Sequence, residues 1–379
     1  MAGVIKGSSV DASDMIKTAD TLFKLFAEVI EWVGSSNIVH EVTDNAANYV
    51  SVGKLIHEKY PNIFWSPCAA HCINLILKDI ASISHIADLA SRASKVTLLR
   101  LVDADEKPSL GIMYEGMQRA KIAIKIMFRN RKSAYTPYTS ILKMRWNKHL
   151  KRDLHAAAYF LNPDFFYSEG FVKKPNILKS LLDLFDIETL CDDLVAAMQE
   201  IQLYRDRKGS FGKKSALKAI KRLEPGEWWR LHGGSASNLQ KMAIRLLHQT
   251  SSSSGCERNW SLFKQIHSKR RNRLEHQRLS DIVYVTYNLR LQSRMHRKKK
   301  NYDPIDIQSI DTIDFWVMAD EDDPEFINRD IEGIENLIYT DNAMPSYPKD
   351  GDVEVDVDLS DVADSSNIAS FGGTLILQI

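Results

Sequence analysis

Residues 251–291, SSSSGCERNWSLFKQIHSKRRNRLEHQRLSDIVYVTYNLRL, constrain this chain more than any other stretch. Small hydroxyl residues open it, and a helical period then takes over. Trp260, Phe263 and Ile266 recur at helix spacing, and Leu279, Ile282, Val283 and Tyr287 repeat the pattern after a basic turn. A helix over 238–249, with Leu239, Met242, Ala243, Leu246 and Leu247 on one face, leads directly into it, and a punctuated loop over 224–230 (EPGEWWR) precedes that helix. Apolar faces of this extent must be covered, by the chain's own core or by a second copy. The second copy is the sharper expectation, with Trp228, Trp229, Trp260, Leu279, Ile282 and Val283 as the candidate dimerisation residues.

The N-terminal part follows a different plan. Residues 14–33 read as an amphipathic helix with Leu22, Phe23, Phe26, Ile30 and Val33 on one face. Residues 37–43 (NIVHEVT) and 62–66 (NIFWS) read as short buried strands. Helices are expected over 46–59 and over 67–80, the latter opened by Pro67, which suits a first helical turn. This order is an α/β pattern. Residues 81–223 read as mostly helical, with a basic middle at 121–132 and an aromatic-rich break at 155–167.

Charge divides the chain. From Asn301 onward there are 20 acidic residues and 2 basic ones, out of totals of 49 and 50; residues 1–300 therefore carry 29 acids and 48 bases. A basic body with an acidic tail points to a nucleic-acid-facing surface, set against a surface basic only for solubility. The clusters are Lys264, Lys269, Arg270, Arg271, Arg273, Arg278, Arg290, Arg294 and residues 297–300, the last resembling a short nuclear-import patch. Residues 350–379 mix Asp, Gly and Ser with few apolar anchors and are expected to be disordered. Four scattered cysteines suggest no disulfide framework and a reducing compartment. No apolar run approaches the length needed to span a bilayer, and the first residues show no secretory pattern.

Three motifs could carry chemistry. In VTDNAANYV, Asp44 closes a strand, where it could ligate a divalent ion through oxygen or simply cap the next helix. In SPCAAHCINLIL, Cys68, His71 and Cys72 sit at helix spacing. Tetrahedral zinc wants four ligands, usually in two spaced pairs, and no second pair follows. In SGCERNWS, Glu257 stands in the first turn of a helix, a position that the helix dipole favours for any acid.

Taken together, these three segments resemble the hAT superfamily of DNA transposases in its plant form. SSSSGCERNWS is similar to the motif of the family's C-terminal dimerisation region. The resemblance implies a partial RNase H-like core, Asp44 and Glu257 as two members of a carboxylate triad that holds two metal ions, and Cys68 and His71, with Arg258, Lys269, Arg270, Arg271 and Arg273, on the DNA-handling side. It implies residues 1–80 and 225–295 as the two parts of a split core, 81–224 as a large helical insertion (MRWNKHLKRDLHAAAYFLNP within it), and 296–379 as a basic patch and an acidic tail. It also implies a nuclear protein that dimerises with itself or with another protein of hAT descent.

The pattern is incomplete. No Asp-Gly-Trp stretch, which carries the family's first catalytic Asp, occurs in the chain, and no Cys/His pairs before Asp44 could build a BED-type finger. SSVDASD at residues 8–14 resembles the end of the third core strand, so the chain is expected to enter the core after its first two strands and to leave sheet edges open. Two carboxylates hold metal poorly where three are required. The sequence-based expectation is therefore a dimerising, transposase-derived protein without competent catalysis or a stably bound cofactor. A magnesium- or manganese-dependent transposase and a non-specific DNA-binding protein are the alternatives, and no membrane partner is expected.

Overall fold

The computed structural model describes residues 18–83, Val102, residues 108–253, Ile282, Val285, Thr286 and Leu289, and the backbone of Gly7–Asp11, Asn367–Phe371 and Thr374–Gln378. The chain is mostly helical, with a small parallel sheet near its N-terminus. In order, the first elements are β1 (Gly7–Asp11), α1 (Ala19–Val33), β2 (His40–Thr43), α2 (Ala47–Lys59), β3 (Phe64–Pro67) and α3 (Ala69–Ala81). The α/β order expected from the sequence is present here.

Local chemistry explains these boundaries. Thr18 caps α1 by accepting the Thr21 N–H, and Gly34 ends the helix at φ 87°, donating to the Ile30 carbonyl. Strands β2 and β3 pair in parallel, His40 opposite Phe64 and Thr43 opposite Pro67. Crossover helix α2 lies close on β3, because Gly53 leaves room for Trp65: a Cβ at Gly53 would come within 2.3 Å of the indole. Leu22, Phe26, Ile30, Tyr49, Val52 and Ile56 form the core between α1 and α2.

The helical body follows: α4 (Leu110–Met127), α5 (Lys132–Arg145), a π-helical turn (Trp146–Leu150), α6 (Asp153–Leu161), α7 (Pro163–Phe166), α8 (Pro175–Phe185), α9 (Leu194–Arg205), α10 (Lys214–Ala219), α11 (Pro225–His232) and α12 (Ser237–Leu247). Its centre is α6, packed against α4, α8 and α12. Every residue from Leu154 to Leu161 is buried. The sequence reading of 155–167 as an aromatic-rich break is thus corrected: most of the stretch is helix, apolar on all sides and so without the one-sided period that marks an amphipathic helix.

Residues 225–230 are likewise helical rather than a loop, with Pro225 at the first helical position, where its missing N–H costs nothing. Both indoles point inward. Trp228 Nε1 donates to the Ala216 carbonyl at 2.8 Å and Trp229 Nε1 to the Leu161 carbonyl at 2.7 Å. Their rings join Tyr204 and Phe211 in one aromatic cluster. Trp228 and Trp229 are both fully buried within the chain, so the structure assigns them to its own core rather than to a surface that a second copy could touch. The apolar face of α12 turns the same way.

The last strands are β4 (Asn367–Phe371) and β5 (Thr374–Gln378), in a region expected to be disordered. They pair antiparallel, Phe371 opposite Thr374, and β5 also pairs antiparallel with β1. The acidic composition of 350–379 hides a local hairpin signal: a two-glycine turn between β-rich apolar segments.

Candidate functional site

The C-terminal end of the parallel sheet gathers the residues that the sequence singled out. Asp44 directly follows β2 and is half exposed. It does not cap α2, whose N-cap is Ala46 without a side-chain bond. Instead its Oδ1 accepts the Asn45 N–H at 2.6 Å. His71, in the first turn of α3, brings Nδ1 to 3.7 Å from Asp44 Oδ1. The structure therefore brings Asp44 and His71 together at an accessible surface.

Cys68 behaves differently. It is 1% exposed, so the structure corrects its placement on a DNA-facing surface. Its N–H donates to the Thr43 carbonyl at 2.7 Å, tying the start of α3 to the end of β2. Its sulfur accepts the Ser253 N–H at 3.4 Å and lies 3.5 Å from Ser252 Oγ. Cys72 is a packing group: burial, and then the neighbouring Cys68, push its thiol up to about 12.

The hydroxyl-rich run that opens the 251–291 segment is docked on this same point. Ala69 N–H donates to the Ser251 carbonyl at 2.8 Å. Ser251 N–H donates to Ser109 Oγ at 2.9 Å, and the two hydroxyls lie 2.8 Å apart. Ser251, Ser252 and Ser253 are all buried, and small hydroxyl residues suit a buried, irregular backbone that must find local hydrogen bonds. Thr43, Cys68 and Ser253 thus form a chain of two hydrogen bonds ending beside Asp44.

Two contributors were not singled out in the sequence. Ser109 holds the docked segment from α4. His149, in the π-helical turn, has Nδ1 3.2 Å from Asn45 Nδ2, and burial together with Lys148 and Arg145 holds its imidazole below the usual range. A single π turn inside a helical run is a common mark of functional geometry, but nothing in the residues WNKHL announces one. Arg145 fixes the supporting wall through a two-pronged contact with Asp79 at 2.7 and 3.0 Å.

Behind the site lies a buried ionisable layer. His40 Nε2 is 2.7 Å from Ser66 Oγ, and its ring meets His155 edge-on, 6.4 Å between centroids. Burial lowers His40 to about 4, and burial and then His40 lower His155 to about 3. On β2 beside them, Glu41 is 4% exposed, and burial raises its carboxyl to about 8.

Glu257, Arg258, Trp260, Lys269, Arg270, Arg271, Arg273, Leu279 and Val283 lie outside the described residues. Ile282 is helical and fully buried. Among the described residues no three His, Cys, Asp or Glu side chains converge as metal ligands, and Asp44 faces His71 rather than a second carboxylate. Of the two carboxylates that the resemblance implies as metal ligands, Asp44 is the one among the described residues. No described helix is long and apolar enough to cross a membrane.

Two family models match the chain. Residues 2–96, which hold Asp44, Cys68 and His71, match a domain of unknown function (DUF659), and residues 198–289, which hold the docked serines and Glu257, match the hAT family C-terminal dimerisation region. Over the second of these segments the chain is similar to hAT-family transposases. The matched segments of this hAT-like chain are the two parts joined by the Ala69–Ser251 and Cys68–Ser253 hydrogen bonds, and the second match begins within α9, upstream of the boundary at 225 expected from sequence. No curated protein matches the chain.

Proposed function

We propose that this hAT-like protein works as a dimer in the nucleus, as a transposase derivative that has kept its assembly region without competent strand-transfer chemistry. The match of residues 198–289 to the dimerisation region carries the reading. The partner is a second copy or another protein of hAT descent. Because Trp228 and Trp229 are interior, the contact surface lies elsewhere in that region; Met198 and Leu231 are its most exposed large apolar side chains outside the basic stretch among the described residues. Light scattering on the full chain, after size exclusion at micromolar concentration, is expected to give twice the mass of one chain. A monomer at those concentrations overturns the reading.

The core is proposed to be a remnant of an RNase H-like fold, on the strength of the parallel β2–α2–β3 unit, Asp44 at its strand end, and the serine segment docked beside that end. The reading of catalytic loss is supported by the described surroundings of Asp44, where the charged neighbour is His71 rather than a second carboxylate.

DNA binding, if retained, is of the phosphate-backbone kind, since Arg270, Arg271 and Arg273 carry charge without a base-reading module. Affinity for unrelated duplexes is expected to be equal and to fall steeply with salt. Neutralising the three arginines should weaken every duplex alike. Cleavage of hairpin or transposon-end substrates with magnesium or manganese, abolished by both Asp44→Ala and Glu257→Ala, would instead establish the enzyme.

A further inference from the structure

We propose that the C-terminal hairpin, residues 367–378, acts as an internal strand donor: it folds back on its own chain to fill the gap between β1 and the parallel sheet. The inference is independent of the dimerisation reading.

Three observations carry it. First, β1 has no partner among the described residues except β5, which it meets in antiparallel register from Gly7 opposite Gln378 to Asp11 opposite Thr374. Residues near the N-terminus are thus held in a sheet only by residues near the C-terminus. Secondly, β4 continues that sheet from β5 and lies against β2, so the hairpin is placed between the isolated strand and the parallel pair. Thirdly, all four residues of β2 are buried, the state of an interior strand rather than an open edge.

The sequence supplies the matching chemistry. NIASF and TLILQ are apolar and β-prone around a Gly-Gly turn, whereas the stretch before them, DGDVEVDVDLSDVAD, is densely acidic. An uncovered hairpin of this kind is an aggregation hazard, and flanking like charges guard against pairing between molecules. The long stretch between Leu289 and Asn367 gives ample reach for a return within one molecule, at a closure cost that grows only slowly with length. Neither hairpin strand contains a carboxylate, so the donated strands complete the sheet without supplying an acid beside Asp44.

Hydrogen exchange on the full chain tests this. The amides of Gly7–Asp11 are expected to be protected in the parent and to exchange at least tenfold faster in Ile376→Pro, which removes an N–H from the central strand β5, and in a chain ending at Ser366. The amides of α6 serve as internal reference for an intact body. A synthetic peptide of residues 367–379 should restore protection to the shortened chain. If the shortened chain precipitates, Ile376→Pro alone decides. Unchanged exchange at Gly7–Asp11 in Ile376→Pro overturns the proposal. So does protection that appears only at concentrations where the chain is dimeric, which would assign the donor hairpin to a second copy.

Discussion

Trp229→Ala is expected to unfold the helical body rather than to release an intact protomer from a dimer. The indole is fully buried, donates to the Leu161 carbonyl, and packs 4.8 Å from the Tyr204 ring and 5.3 Å from Phe211. Truncating a buried Trp to Ala costs about 3–5 kcal/mol, a large share of the roughly 5–15 kcal/mol that holds a typical protein folded. Urea titration should show a clearly lowered midpoint, detected both by far-ultraviolet circular dichroism and by intrinsic fluorescence. A folded monomer with the parent's midpoint would mean that Trp229 does lie at an interface after all.

The buried layer on β2 gives the second large effect. Glu41 has a raised carboxyl, about 8 against an ordinary 4.5, so the folded state keeps a proton that the unfolded chain releases. Its contribution to stability falls as pH rises from 4.5 to about 8. His40 and His155 are lowered to about 4 and about 3, so their contribution falls as pH drops below 6.5. Counting bound protons for these three groups, stability rises with pH up to about 6.5 and then declines until about 8. Glu41→Gln removes the decline and leaves the acid limb. The gain at pH 7 is on the order of 3 kcal/mol, at 1.36 kcal/mol per pH unit of displaced titration. Denaturation midpoints measured from pH 5 to 9 will show it. A parent protein whose stability stays level between pH 6.5 and 8 would rule out a protonated Glu41.

Much of the N-terminal architecture was legible because its signals are local. β-Branching marked β2 and the one-sided apolar period marked α1 and α12, whereas Pro67, expected in the first turn of the next helix, is the last residue of β3, and α3 begins at Ala69. What the sequence did not reveal depends on surroundings. Residues 153–161 form a helix with no polar side, because other helices cover it all round, and periodicity is silent there. Trp228 and Trp229 look like interface anchors in isolation, and only the carbonyls of Ala216 and Leu161 show that they face inward. The hairpin at 367–378 was masked by the acids preceding it. At the site, Asp44 and His71 were found by motif, whereas Ser109 and His149 were not, because their roles arise from partners 142 and 104 positions away.

The anchoring of Ser251–Ser253 on Cys68 and Ser109 also sets an order of events in time. Those hydrogen bonds close loops of 142 and 185 residues. Such long closures raise contact order, and high contact order slows folding. On the ribosome, α1, α2 and α3 emerge long before the serines that seat the start of α3. The N-terminal sheet must therefore wait, incompletely covered, while the whole helical body is synthesised. This hAT-like chain is in consequence a late-closing protein, exposed to proteases and dependent on chaperones at least until residue 253 has left the exit tunnel.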